Sequence, residues 1–167
     1  MTICADRRRC VFGLVENGAF SPNLLGCVVR ECWLAIPAHF PHVELDEFVL
    51  MPNHLHGILV LHSVVGAQGR CALHNEMPGR EVVPKSLAVV IRSFKAIVAR
   101  RAHGDLKLRG EIWQRNYFER IMRGGRELAD ASQYMRENVA RWEWDEENPS
   151  ASPNKDKGAA VLRPYKE

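Results

Sequence analysis

Two histidines separated by one apolar residue, His54-Leu55-His56, are the side chains of this sequence best suited to chemistry. They open an apolar run to Leu61 that predicts a β-strand. Residues two apart in a strand project to the same face, so the imidazoles would stand about 7 Å apart at the backbone, close enough to share one metal cation. The pattern also fits two ordinary histidines on a half-exposed strand.

Tyr134 and Asn138 form a second candidate pair near the end of the sequence. They are four residues apart and would share one face of a helix. A divalent metal held by two histidine nitrogens and an amide oxygen would keep open positions for phosphate oxygens, and a tyrosine beside it could attack that phosphate. Taken alone, Tyr134 also fits a packing aromatic, and Asn138 fits a surface residue or a helix-end cap.

The elements that must position these residues follow from hydrophobic periodicity and from capping and turn residues. The sequence predicts a strand with a turn over 2–14, a helix over 22–36, an antiparallel hairpin over 43–61, a helix over 86–104, a strand over 112–122 and a helix over 126–142. In the first helix Ser21 would cap and Pro22 would be the first residue. Residues 63–84 predict a mobile loop or an insertion. This order predicts an α+β sandwich with an antiparallel sheet and helices on one face.

Length and composition exclude several classes of protein. The 167 residues and 19.0 kDa predict one compact domain. With 46% hydrophobic and 26% charged residues, and no apolar run near the roughly 18 residues that cross a bilayer, a membrane span, a coiled coil and a disordered chain are excluded. The five cysteines include no Cys-x-x-Cys pair, and the sequence does not open on a signal-peptide segment, which favours a cytoplasmic protein.

Positive charge is concentrated in residues 85–123, which hold ten Lys and Arg against three Asp and Glu. A local basic surface favours a polyanionic partner through counterion release, although a solvated helix face explains the charge equally well. Cations of this segment could contact phosphates, and an aromatic ring could stack on unpaired bases. The predicted DNA-binding residues are Arg92, Lys95, Arg115, Tyr117, Arg120 and Arg123.

Several separate motifs carry a resemblance to a known family. They include Met51-Pro52-Asn53-His54-Leu55-His56-Gly57, Trp113-Gln114-Arg115-Asn116-Tyr117, Trp33-Leu34-Ala35-Ile36-Pro37 and Ile91-Arg92-Ser93-Phe94-Lys95. From residue 2 to about residue 149 the sequence resembles the REP-associated tyrosine transposases, a branch of the HUH single-tyrosine transposase family. The resemblance implies a ferredoxin-like or RNA-recognition-motif-like core, with a catalytic domain over 1–147 and an irregular tail over 148–167.

The activity implied by this resemblance is that of a metal-dependent DNA endonuclease and strand-transferase, acting on single-stranded DNA that contains palindromic hairpins. It assigns His54, His56 and Asn138 to a Mg²⁺ or Mn²⁺ site and Tyr134 to the nucleophile that forms a 5′-phosphotyrosine. Tyr117 is the rival nucleophile, but no asparagine follows it at helical spacing. We expect a bacterial, cytoplasmic and nucleoid-associated protein with no membrane partner, and we favour a monomer over a dimer.

Three departures from the family pattern leave other functions open. The opening half of the first strand is expected to be truncated, and Arg120 stands where relatives often have histidine. Val139 replaces the proline that usually follows the asparagine, which would let the helix continue through Asn138. A catalytically degenerate nucleic-acid-binding protein of the same fold is therefore the alternative. A metallohydrolase that uses the histidine pair with water as nucleophile is a third hypothesis.

Overall fold

The computed structural model describes residues 1–62, 86–145, 148–149 and 151. Its strands are β1 (Thr2–Cys4), β2 (Gly13–Glu16), β3 (Ala19–Pro22), β4 (Val43–Leu50) and β5 (His54–Leu61), and its helices are α1 (Leu24–Leu34), α2 (Ile36–His39), α3 (Leu87–Gly104) and α4 (Gly125–Asn138). Short 3-10 turns follow at Asp6–Arg8 and Trp142–Trp144. The predicted loop over 63–84 and most of the predicted tail lie outside the described residues. Within those residues, no helix combines the length and the apolar character needed to span a membrane.

A central antiparallel sheet has the strand order β1-β5-β4. The chain after α3 extends it on the far side of β1 through two isolated bridges, Ala5 to Trp113 and Thr2 to Phe118. Apart from the separate β2–β3 hairpin, the chain forms four extended segments, which are β1, β4, β5 and residues 113–118. Their order across the sheet is 113–118, β1, β5 and β4, so the fourth segment along the chain lies beside the first. A β-α-β-β-α-β chain arranged in this way is ferredoxin-like, and the predicted α+β class is confirmed.

The hydrophobic core lies between one face of the sheet and the helices α1 and α3. Trp33 of α1 is fully buried and meets Phe94 of α3 edge-on, with ring centroids 5.3 Å apart. The same indole covers Gly57 of β5, where an added Cβ atom would lie 2.3 Å from the ring. Only glycine allows the tryptophan to approach the strand this closely, so Gly57 fixes the position of α1 on the sheet.

α4 lies on the opposite face of the sheet, so the expectation of helices on one face holds for α1 and α3 but not for α4. Strand alternation turns His54 and His56 away from the α1–α3 core. Their rings instead contact Trp142 and Tyr134. The sheet therefore has a closely packed helical layer on one side and the tyrosine-bearing helix on the other.

The helix start predicted at Ser21-Pro22 is wrong. Pro22 belongs to β3 and pairs with Gly13 of β2, and this hairpin replaces the end of the strand predicted over 2–14. The N-cap of α1 is Asn23, whose side chain accepts a hydrogen bond from Gly26 N at 3.0 Å. Serine and asparagine are both good caps, and only the strand pairing of Pro22 decides between them.

The strand predicted over 112–122 is observed only in part, because its pairing with the β1 segment is interrupted. Trp113 pairs with Ala5, directly after β1, and Phe118 pairs with Thr2, so the four residues between Trp113 and Phe118 oppose two residues of β1. The two extra residues form a bulge. Lys95 Nζ holds the bulge by donating to the backbone oxygens of Gln114 at 2.9 Å and Asn116 at 2.8 Å.

α4 ends at Asn138, four residues before the predicted end of this helix. Val139 nevertheless keeps helical dihedrals of −62° and −45°, and Arg141 N donates to Glu137 O at 3.1 Å. The chain then tightens into the 3-10 turn that begins at Trp142. With valine after the asparagine, the backbone follows a helical path far enough to bring this indole over the sheet.

Candidate metal and tyrosine site

The two imidazoles of β5 stand side by side on the sheet face that α4 covers. The ring centroids of His54 and His56 are 4.5 Å apart, and the rings are inclined by 73°. His54 is fully buried, and both Nε2 atoms are buried with no hydrogen-bond partner among the described residues. Because buried polar atoms are almost always paired, two neighbouring nitrogens in this state suit a shared cation.

The other nitrogen of each ring has a polar neighbour. His54 Nδ1 lies 2.7 Å from Asn53 Oδ1, and His56 Nδ1 lies 2.7 Å from Thr2 Oγ1. Such a neighbour fixes the orientation of the ring, as is usual for histidines that bind metals. Sequence reasoning missed both neighbours. Asn53 could have been found from its place directly before His54, whereas Thr2 meets His56 only through the register of β1 on β5.

Burial keeps both rings uncharged. Loss of solvation, together with the neighbouring charges of His56 and Arg8, lowers the pKa of His54 well below its usual value. Loss of solvation and the N-terminal amine lower the pKa of His56 to about 4. At neutral pH both side chains are therefore neutral imidazoles, the form that binds a metal ion.

α4 brings Tyr134 and Asn138 to the same face of the sheet as the imidazoles. The ring of Tyr134 meets the ring of His56 edge-on, with centroids 5.7 Å apart. Asn138 is 2% exposed, and its Nδ2 atom has no hydrogen-bond partner within the part of the chain that is described. Four residues on, the indole of Trp142 lies 6.1 Å from the ring of His54. Asn138 is thus placed between the two ring contacts, in the layer that faces the imidazole pair.

The donor set fits a divalent cation with mixed nitrogen and oxygen ligands. Among the described residues, no group of three His, Cys, Asp or Glu side chains could hold a metal ion. The two imidazoles and the amide oxygen of Asn138 are the ligands that the sequence predicts, and this ligand set stays a prediction. Such a set leaves coordination positions for water or phosphate oxygens, which Mn²⁺ and Mg²⁺ accept readily.

The predicted DNA-binding residues do not form one cluster. Arg92 is exposed on α3, which covers the sheet face opposite the imidazoles, and Arg115 is exposed in the bulge beside β1. Lys95 is occupied by the backbone oxygens of the bulge, and its Nζ lies 5.9 Å from the centre of the Tyr117 ring. Burial lowers the pKa of this lysine. The contact of Lys95 with DNA stays a prediction, whereas its observed hydrogen bonds stabilise the bulge.

The two arginines before α4 are tied to the first turn of that helix. Arg120 Nη2 lies 3.0 Å from one carboxylate oxygen of Glu127, and the backbone N of Arg123 donates to the other oxygen at 3.1 Å. The carboxylate pairs with both groups and with the positive end of the helix. These contacts link the segment before α4 to the first turn of the helix that carries Tyr134.

Comparison with known proteins places the chain among its relatives. A protein of Haemophilus influenzae, described as uncharacterized, is 36% identical over 150 residues, which cover 87% of this chain and 82% of that protein. A solved REP-associated tyrosine transposase bound to a REP hairpin matches with a TM-score of 0.56 and 16% identity, over 87% of this chain and 67% of its own. No family model matches the sequence. The chain therefore belongs to the family of the Haemophilus influenzae protein and has the fold of a REP-associated tyrosine transposase.

Proposed function

We propose that this chain is a metal-dependent nickase and strand-transferase of single-stranded DNA with palindromic hairpins, and that Tyr134 is its nucleophile. One observation carries the proposal: a phenol meets a buried imidazole pair. The rings of Tyr134 and His56 are 5.7 Å apart, beside two Nε2 atoms that bond to no described residue. The shared fold with a transposase solved on a REP hairpin supports a nucleic-acid substrate.

The proposed reaction is a transesterification at phosphorus. The Tyr134 oxygen attacks the phosphate and the bond to the 3′-oxygen breaks, while the phenol loses a proton and the departing 3′-oxygen takes one up. A Mg²⁺ or Mn²⁺ ion held by His54, His56 and Asn138 would neutralise charge on the scissile phosphate. The resulting 5′-phosphotyrosine conserves the phosphodiester bond energy, so the strand can be joined to another 3′-hydroxyl without a nucleotide cofactor.

The geometry favours Tyr134 over Tyr117 as the nucleophile. Tyr117 lies at the sheet edge beside Lys95, and burial, with the charge of Glu119, raises its pKa. A phenol with a raised pKa is harder to deprotonate and is a poorer nucleophile at neutral pH. Because the contact between Tyr134 and His56 forms within one chain, we infer that the nucleophile acts in cis, and the monomer stays a prediction.

Substrate binding is proposed to use the cations around the bulge and the approach to α4. Arg92, Arg115 and Arg123 are exposed, so each can reach a phosphate. Phosphate contacts of this kind position the strand without reading its sequence, and their strength falls with added salt.

Covalent trapping tests the proposal. The protein is incubated with Mn²⁺ or Mg²⁺ and with labelled single-stranded oligonucleotides that carry a palindromic hairpin between randomised flanks, and denaturing gels detect the adduct. We expect an adduct that is lost with EDTA and in Tyr134→Phe, which removes one hydroxyl, and kept in the matched control Tyr117→Phe.

Three other outcomes would each contradict the assignment. An unchanged adduct in Tyr134→Phe would remove that residue as nucleophile. Metal-dependent hydrolysis that persists when Tyr134 and Tyr117 are both phenylalanine would indicate the metallohydrolase. Salt-sensitive binding without cleavage under either metal would indicate a binding protein of the same fold.

A further inference from the structure

The chain between β1 and β2 has an unusual backbone beside the imidazole site. Arg7 and Arg8 both have φ of +52°, in the left-handed region that residues other than glycine rarely adopt. Two such residues in succession persist only where surrounding contacts fix them. Neighbouring contacts therefore hold this turn in its left-handed conformation.

This turn holds the Pro52-Asn53 corner that leads into β5. Ala5 N donates to Asn53 O at 2.8 Å, and Phe12 N donates to Pro52 O at 3.0 Å. Between these two backbone bonds, Asn53 Nδ2 donates to Arg8 O at 3.1 Å. Asn53 is only 1% exposed. The left-handed turn thus directs the carbonyl of Arg8 at a buried side-chain amide next to the first imidazole.

The carbonyl of Arg8 decides which way this amide points. A carbonyl can only accept hydrogen bonds, so the end of the Asn53 amide beside it must be the NH₂ group. The amide oxygen is then turned to His54 Nδ1, 2.7 Å away. Because an amide oxygen also only accepts, Nδ1 of the uncharged ring carries the proton and Nε2 keeps its lone pair.

We propose that the Arg8 carbonyl and the Asn53 amide form a relay that holds His54 in its Nδ1–H tautomer, with the Nε2 lone pair directed at the cation site. Asn53 is then a positioning residue. The role of this relay in metal binding rests on the proposed function, but the tautomer of His54 can be measured in the metal-free chain. Thr2 cannot fix His56 in the same way, because a hydroxyl both donates and accepts.

NMR of the full chain labelled with ¹⁵N-histidine measures the tautomer directly. In metal-free protein near neutral pH we expect His54 to carry its proton on Nδ1. Asn53→Ala removes the bonds of the amide to Arg8 O and to His54 Nδ1, and it should shift part of the His54 population to the Nε2–H tautomer. It should also weaken the binding of Mn²⁺, measured by electron paramagnetic resonance without DNA, by about 10–100-fold.

Asn53→Asp separates positioning from simple support of the fold. Aspartate keeps an oxygen that accepts from Nδ1 but loses the amide donor to Arg8 O. A purely structural role predicts an effect as severe as that of Asn53→Ala, whereas the relay predicts the tautomer of the unchanged protein and most of its Mn²⁺ affinity. Asn23→Ala is the matched control, because it removes an asparagine whose side chain makes two hydrogen bonds of its own, neither of them to a histidine or to the Pro52-Asn53 corner.

His54 on the Nε2–H tautomer in the unchanged protein, or no change of tautomer in Asn53→Ala, would overturn the relay. If Asn53→Ala does not fold, the tautomer of the unchanged protein still decides. Failure of the proposed function looks different: an Nδ1–H tautomer with Mn²⁺ binding but no covalent DNA adduct would keep the relay and remove the nickase. A covalent DNA adduct formed by a protein whose His54 has the Nε2–H tautomer would keep the nickase and remove the relay.

Discussion

The buried imidazole pair makes the free energy of unfolding depend on pH within a defined window. In the unfolded chain a histidine has a pKa near 6.5, whereas in the fold the pKa of His56 is about 4 and that of His54 is well below its usual value. Between these values the unfolded state binds more protons than the folded state, so protonation favours unfolding. Stability is therefore complete above about pH 6.5 and falls as the pH drops towards 4.

His56 alone sets a measurable size for this effect. The gap between its two pKa values corresponds to about 3 kcal/mol. Roughly 2 kcal/mol of this is already lost at pH 5, where most carboxylates are still ionised. Domains of this size have a total stability of about 5–15 kcal/mol, so the loss would be a large fraction of it. His54 changes the stability in the same direction, because its pKa is also lowered.

Urea denaturation between pH 7 and pH 5, with EDTA present and circular dichroism as the signal, measures this loss. We expect the midpoint to fall steadily over this range in the unchanged protein and to fall less in His56→Gln, which removes one titrating ring. His103→Gln, at an exposed histidine near the end of α3, is the matched control and should keep the full slope. A midpoint that stays constant from pH 7 to pH 5, or an equal slope in His56→Gln, would refute the reasoning.

Two further predictions concern the packing that positions the site. Gly57→Ala should destabilise the fold by about 1–3 kcal/mol in urea denaturation, because the new methyl group would lie 2.3 Å from the buried ring of Trp33; Gly104→Ala, where nothing lies within 4 Å, should not. Equal stability of the two variants would contradict this packing. Lys95→Met should speed amide hydrogen exchange in the bulge and lower the free energy of unfolding by about 1–3 kcal/mol, since it removes two charge-assisted hydrogen bonds. Arg92→Met on the same helix should change neither quantity. Unaltered exchange in Lys95→Met would show that the bulge does not depend on these two bonds.

Local signals were enough to predict the elements that carry the candidate site. The hairpin of β4 and β5 follows from two apolar runs joined by Pro52-Asn53, and its antiparallel pairing is observed. The spacing of Tyr134 and Asn138 predicts one helical face, and α4 contains both. These predictions depend on residues within one or two turns or along one strand, where side-chain direction follows from the backbone.

The features of the fold that the sequence does not predict depend on pairings between distant segments. Ser21-Pro22 resembles a helix start as closely as Asn23 does, and only the pairing of Pro22 with Gly13 rules it out. The segment after α3 has the composition of a strand, but the spacing of its two bridges to the β1 segment leaves extra residues that form a bulge. Lys95 stabilises this bulge by donating hydrogen bonds to its backbone. Neither register can be read from one segment alone, because tertiary contacts override local propensity.

The buried atoms at the site give a physical reason to connect the fold with a ligand. The Nε2 atoms of His54 and His56 and Nδ2 of Asn138 are buried with no hydrogen-bond partner in the described ranges. Each such atom lowers the stability of the fold, because it gives up its bond to water without a replacement. The closely packed α1–α3 core on the other face of the sheet can tolerate this loss, whereas α4 is held by few buried side chains, Met135 and Asn138 among them. A cation bound to the two Nε2 atoms would offset their part of this loss only in the folded state, and it would raise the stability more the more tightly it binds. If the amide oxygen of Asn138 binds the same cation, the cation would also fix α4, and with it Tyr134, against the imidazole pair. Binding of the cation and placement of the proposed nucleophile would then be one event.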